Sequence, residues 1–159
     1  MTASRPRYGA FVLLAALCVP SCSRKSDSPE AQLRALVSQA ETAAEAKNLA
    51  ALKKMISPGY ADQMGQNRQA VMQLLAYYFL HNQSIHLLTR VQAIAFPESK
   101  RAEITVLVAM AGRPIPRVEE LAGMRADLYR FDLLATDEGS GDWEVTRAAW
   151  RPADITDFL

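Results

Sequence analysis

The feature that most constrains this chain is a change of hydrophobic period at Asn82. Before it, apolar residues recur every three to four positions, the spacing of one helix face. After it they recur at every second position, the spacing of a half-buried strand. Helices therefore come first and strands follow. That order gives an α+β domain with a mainly antiparallel sheet, because no strand–helix–strand alternation is present to build a parallel one.

The helical half has clear punctuation. Ser28-Pro29-Glu30 supplies a capping hydroxyl, a proline at the first helical position and an acid in the first turn. Leu33, Leu36, Val37, Ala40 and Ala44 then form a narrow apolar stripe. Asn48 caps a second, short helix carrying Leu49, Leu52 and Ile56, which stops where Ser57-Pro58-Gly59 places both breakers together. A third helix follows Gly65 with Asn67 as its cap, and its inner face is Val71, Leu74, Leu75, Tyr78 and Phe79.

Four strands are predicted beyond Asn82. The first places Ile85, Leu87, Val91 and Ala93 on one side and His86, Arg90 and Gln92 on the other. The second, RAEITVLVAM, alternates poorly, as a strand covered on both faces does. The third sets Tyr129, Phe131 and Leu133 against Arg130 and Asp132, and the fourth, DWEVTRAAW, is entered through the turn DEGSGD. Two prolines exclude AGRPIPRVEELAGM from the sheet, so it is a loop with one helical turn at Val118–Ala122. The expected fold is three helices packed in a curved antiparallel four-stranded sheet.

The front of the chain reads as an address. Arg5 and Arg7 precede GAFVLLAALCV, an apolar run of 11 residues. A bilayer span needs about 20 residues, so this run fits the apolar region of a secretory signal. Val19-Pro20-Ser21-Cys22 resembles the lipobox of bacterial lipoproteins, with proline in place of the usual small residue at position 20. The resemblance implies cleavage before Cys22, acylation of its thiol and amine, and anchoring by more than one chain. Ser23 in place of aspartate implies sorting to the periplasmic face of the outer membrane in a Gram-negative cell. The competing readings are an ordinary secretory signal with Cys22 incidental, or an uncleaved anchor. Residues 1–21 are then the signal, 22–28 a flexible tether and 29–159 the domain. Cleavage lowers Lys+Arg from 18 to 16 against 17 Asp+Glu, which takes the formal charge from +1 to −1. Such a balance excludes a strongly basic nucleic-acid surface.

The helix order, the entry GQNRQAV after EAKNLAALKKMISPGYAD, and the closing GDWEVTRAAW together resemble the nuclear-transport-factor-2-like superfamily, which includes ketosteroid-isomerase-like and polyketide-cyclase-like proteins. The resemblance spans residues 30–151. It implies a cone, a bent sheet wrapped around helices and open at one end. It also implies a hydrophobic small-molecule pocket, proton-transfer chemistry or assembly, and a homodimer through the sheet. The family's steroid isomerases work with a carboxylate base and tyrosine donors. Here the stretch from Tyr60 to Gly65 is too short for their acid-bearing hairpin, and Asp62 is the nearest carboxylate.

Tyr60, Asp62, Tyr78, Tyr129, Arg147 and Trp150 are the candidate pocket residues, and Cys22 the candidate lipidation site. Period 2 from Trp143 and Val145 sends Arg147 to the same face, near the mouth, where it would pair with Asp62 or Asp132 or hold an anionic ligand group. The plainer readings are core packing for the aromatics and turn capping for Asp62. Gly112–Met124, with Arg113 and Arg117, is either a lid, a partner surface or a solvated connection. No cofactor and no metal are expected, since His81 and His86 straddle an element junction without a third ligand. The expected function is an envelope-anchored lipoprotein with a non-catalytic small-molecule-binding or assembly domain. Its alternative is an isomerase- or cyclase-type enzyme with Asp62 as base.

Overall fold

The computed structural model describes residues 28–139 and 141–159. The signal, Cys22 and all of the tether up to residue 27 lie outside the described residues. Helix α1 spans Pro29–Glu45, α2 Leu49–Met55, and strand β1 Ile56–Asp62; α3 spans Arg68–His81. Strands β2 (His86–Glu98), β3 (Arg101–Ala111), β4 (Asp127–Asp137) and β5 (Trp143–Pro152) follow, with a 3-10 turn at Val118–Gly123 before β4 and a short α4 at Ile155–Phe158. No helix among the described residues is long and apolar enough to cross a membrane.

The helix starts follow from their caps. Ser28 Oγ accepts from the Ala31 N–H at 3.2 Å, Asn48 Oδ1 from Ala51 at 3.0 Å and Asn67 Oδ1 from Ala70 at 3.0 Å. Each satisfies one of the amides that a helix N-terminus leaves without a partner.

The sheet has five strands, not four, in the order β1-β5-β4-β3-β2. The extra strand, β1, pairs parallel with β5 and contains the Pro58-Gly59 pair expected to end only a helix. Ile56 correspondingly belongs to the strand and not to α2. Proline is tolerated there because β1 is an edge strand.

Helices α1 and α2 lie in the concavity of the sheet. Leu33 and Val37 pack on Ala102, Ile104, Val106, Ala135 and Trp143. Ala43, Leu52, Phe79 and Ile85 form a second cluster that joins all three long helices to β2. The Trp143 indole N–H donates to Gln32 Oε1 at 2.9 Å, which fixes α1 to the β4–β5 turn.

The outer face is covered over half its length. Leu107, Ala109 and Ala111 of β3 pack under Ile115, Leu121 and Phe158. The Gly112–Met124 segment is thus neither lid nor free connection: its apolar residues cap the C-terminal half of β3. Helix α4 was not foreseen from the sequence. It seats the fully buried Phe158 there, while the Arg90 guanidinium donates to the Phe158 carbonyl and Gln92 Nε2 to that of Asp157 at 3.1 Å. Both faces of β3 are covered, which is why its sequence does not alternate.

Register slips reset which side chains face inward. Val91 lies opposite Val106, but Ala93 lies opposite Thr105 and Ile94 opposite Ile104. Ile94, not Ala93, therefore joins the core. In β5 the register slips between Leu134 and Ala135, so that Ala135 faces Val145 while Leu134 faces Arg147.

Candidate functional site

Cross-strand partners share a face, so the register defines which residues look into the cone. Asp62 lies beside Ala148, Ala148 beside Leu133, and Leu133 beside Ile104, a core residue under α1. Tyr129, Phe131 and Trp150 continue the same face toward the open end. Their rings follow one another, with centroids 6.2 Å apart for Tyr129–Phe131 and 6.1 Å for Phe131–Trp150. All three are half-buried. Tyr78 reaches this end from α3, and its phenol is pushed up by burial, then by the carboxylate of Asp127 and by Tyr129.

Of the six residues expected to line a pocket, the fold brings Tyr60, Asp62, Tyr78, Tyr129 and Trp150 to the concave side. Arg147 is a correction. The slip at Thr146 turns it to the outer face, where it is exposed and opposite Leu134. It approaches neither Asp62 nor a pocket. Strict alternation from Trp143 fails because Thr146 is an extra residue in its strand, held by its hydroxyl donating to the Leu134 carbonyl at 3.2 Å. Asp132 is also outward. Its carboxylate lies below the usual range because Arg130 donates to it, at 3.1 Å to Oδ1, and Thr105 does so at 2.8 Å.

Asp62 ends β1 and organises the turn into α3. Its Oδ1 accepts from the N–H groups of Met64 and Gln66, both at 2.8 Å. Gly65 makes the turn possible with φ +77°, and its N–H donates to the Asp62 carbonyl at 3.0 Å. Gln63 extends the strand pairing with its side chain: Nε2 donates to the Trp150 carbonyl at 2.9 Å, and the Trp150 N–H donates to Oε1 at 3.2 Å. Asp62 is 7% exposed. Its second oxygen, Oδ2, is out of solvent's reach and has no hydrogen-bond partner among the described residues; Gln66 Oε1 is in the same condition. Tyr60 is buried nearby. Burial, then the charge of Asp62, push its phenol up to about 12.

Sequence reasoning missed Asp127. It pairs with Met110 on the concave side, two residues before Tyr129, so the alternation that placed Tyr129 inward would have found it. Asp127 is exposed at the mouth. Two open grooves lie elsewhere. One of about 950 Å³ runs between Leu36 of α1, Met55 of α2 and Trp143 at the β4–β5 turn. A smaller one of about 360 Å³ lies between Thr42 of α1 and Ala51 of α2.

No family model and no curated protein matches the sequence. Solved structures do match the fold. Bd1075 of Bdellovibrio bacteriovorus is similar at 14% identity and a TM-score of 0.61, over 77% of this chain and 40% of that one. A putative scytalone dehydratase from Novosphingobium aromaticivorans is similar at 11% identity and a TM-score of 0.63, over 77% and 83%. An NTF2-like protein from Cytophaga hutchinsonii is similar at 9% identity and a TM-score of 0.57, over 80% and 100%. The domain has the nuclear-transport-factor-2-like cone fold. This chain spans 40% of the length of Bd1075, so the likeness there concerns one part of that protein. At such identities the similarity carries the fold and no activity, and the structures that share the fold include enzymes as well as proteins of unknown function.

Proposed function

We propose that this chain is an envelope-anchored lipoprotein whose nuclear-transport-factor-2-like domain is a non-catalytic binding or assembly module. The anchor rests on the basic start, the 11-residue apolar run and the lipobox-like residues before Cys22. The non-catalytic reading rests on one observation, the state of Asp62. A general base must reach its proton within hydrogen-bond distance. One oxygen of Asp62 is committed to two backbone amides, and the other is sealed from solvent. The carboxylate holds a turn. A hydrophobic small molecule or a protein segment would meet instead the half-buried row Tyr129, Phe131 and Trp150. The alternative enzyme reading is favoured by the same oxygen, since an unpaired carboxylate beside the Tyr60 phenol is the pairing that proton-transfer chemistry uses.

The anchor is tested by growing cells on labelled fatty acid. The expected result is label in the envelope-bound chain and none in Cys22→Ser; label that persists in the variant refutes acylation at Cys22. The catalytic alternative is tested with the full chain on cyclic hydrophobic ketones, by following proton exchange. Turnover that falls about 10²–10⁴-fold in Asp62→Asn would overturn the non-catalytic reading.

A further inference from the structure

Helix α3 carries apolar residues on its inner and outer sides alike, with the exposed Gln69 and Gln73 among the outer ones. Its inner face, Met72, Leu75, Tyr78 and Phe79, packs into the cluster around Leu52 and Ile85. Its opposite face bears Ala70, Leu74, Tyr77 and His81, and Leu80 flanks them. Leu74 is 53% exposed, Tyr77 61% and Leu80 84%. Large apolar side chains exposed side by side mark a contact surface, yet nothing among the described residues covers this side. Sequence periodicity placed Leu74 on the inner face, and the structure turns it outward. With apolar residues on both sides, the 3.6 period alone could not choose.

The outward residues have a specific spacing. Ala70, Leu74, Tyr77 and His81 are separated by four, three and four positions, the alternation of a helix–helix seam. Tyr77 and His81 brace one another, with ring centroids 3.9 Å apart and His81 Nδ1 donating to the Tyr77 carbonyl at 2.8 Å. That pattern asks for another helix.

Charge selects among the occupants. No Asp or Glu occurs between Asp62 and Glu98. A helix that lies on a bilayer carries Lys and Arg along its polar side. Arg68 at its start and Lys47 near its end are engaged: Arg68 Nη1 donates to the Ile56 carbonyl at 3.1 Å, and Lys47 Nζ to that of Gln83 at 3.1 Å. The outward residues of α3 from Gln69 to Leu80 carry no charge, and His81 ends the row. A symmetric contact sets like residues near like, so a face free of repelling charges suits a second copy of itself. The outer sheet face is less suited. Half of it lies under Ile115, Leu121 and Phe158, and the rest carries the charged Arg130–Asp132–Thr105 group.

We infer that α3 is a self-association surface and that two copies of this chain pack α3 against α3 about a two-fold axis near the middle of the helix. Leu74 of one copy then meets the partner's Tyr77. This goes beyond the anchoring and binding reading: a lipidated chain that stays monomeric leaves that reading intact and refutes only this inference.

The experiment is sedimentation velocity of the full chain in detergent, with Leu74→Lys, Tyr77→Lys and, as an outer-face control, Thr105→Arg. The expected result is a dimer for the parent and for Thr105→Arg. The two lysine variants should weaken association by about a hundredfold or more, as charge placed at an interface centre does, with an unchanged circular dichroism spectrum. Tyr77→Cys should cross-link to itself with a short bis-maleimide, while the exposed outer-face Arg147→Cys and the parent should not. A parent that is monomeric at about 100 µM, well above the weak micromolar range, overturns the inference. So does a dimer broken by Thr105→Arg and indifferent to Leu74→Lys, which would place association on the sheet. Monomeric chains whose Tyr77→Cys dye label is quenched only in phosphatidylcholine–phosphatidylglycerol vesicles would assign the face to the bilayer and equally refute pairing.

Discussion

Asp62 carries most of the local argument. Two backbone amides converge on its Oδ1 at 2.8 Å each, and removing the acceptor leaves both without it. Asp62→Ala should cost about 2 kcal/mol, the range for hydrogen bonds to a charged group, while Asp62→Asn keeps an acceptor in place and should cost much less. Urea unfolding of the two variants checks this; equal losses would mean that the turn does not depend on Oδ1. Tyr60 makes a pH prediction. Its phenol titrates at about 12 in the fold against about 10 in an unfolded chain. Stability from keeping it neutral is fully present below pH 10 and is lost as pH rises toward 12, because the unfolded state gives up the proton first. Tyr60→Phe should flatten that alkaline loss. A variant with the parent's slope would mean that another group is responsible.

At the scale of elements, bulges and turns decide what faces where. Gly141 has φ +96°, and a Cβ there would sit 2.8 Å from Nε2 of Gln32, whose Oε1 accepts from Trp143. Gly141→Ala should therefore cost about 1–3 kcal/mol in backbone strain alone, with further loss as Gln32 is displaced. Thermal unfolding measures it, and an unchanged midpoint would contradict the close approach. Helix starts were legible because each cap is a single residue acting on the amide three positions on: Ser28, Asn48 and Asn67. Strand faces were legible only as far as alternation persisted. One inserted residue inverts everything beyond it, and nothing in VTRAA marks Thr146 as the insertion. Arg147 was misplaced for that reason, as was Ala93 beyond the slip in β2. Strand β1 was hidden because Pro58-Gly59 reads as a breaker, whereas its status as an edge strand is settled by partners more than eighty residues away. Within the site, period 2 puts Tyr129, Phe131 and Leu133 on one face, as the register does, but the sealing of Asp62 depends on packing that no local pattern encodes.

At the largest scale, the sheet is covered by different parts of the chain, by helices on its inner face and by α4 with the 3-10 turn over half of its outer face. Phe158 is fully buried there, although it stands one residue from the last. Phe158→Ala should cost about 3–5 kcal/mol, as other buried aromatic truncations do, and should expose Leu107 and Ala109. Hydrogen exchange would show this as lost protection in β3, and retained protection would mean that α4 is an ornament on a self-sufficient sheet. The same closure defines the functional account, in which the cone offers aromatic surface at its mouth and keeps its buried acid out of reach. Carbodiimide labelling of carboxylates in the native full chain, read by peptide mass spectrometry, tests that most directly. The account predicts that Asp127 and Asp132 are modified while Asp62 remains unlabelled until the chain unfolds. Asp62 modified in the native state as fast as Asp127 would contradict it and hand the site to the proton-transfer reading.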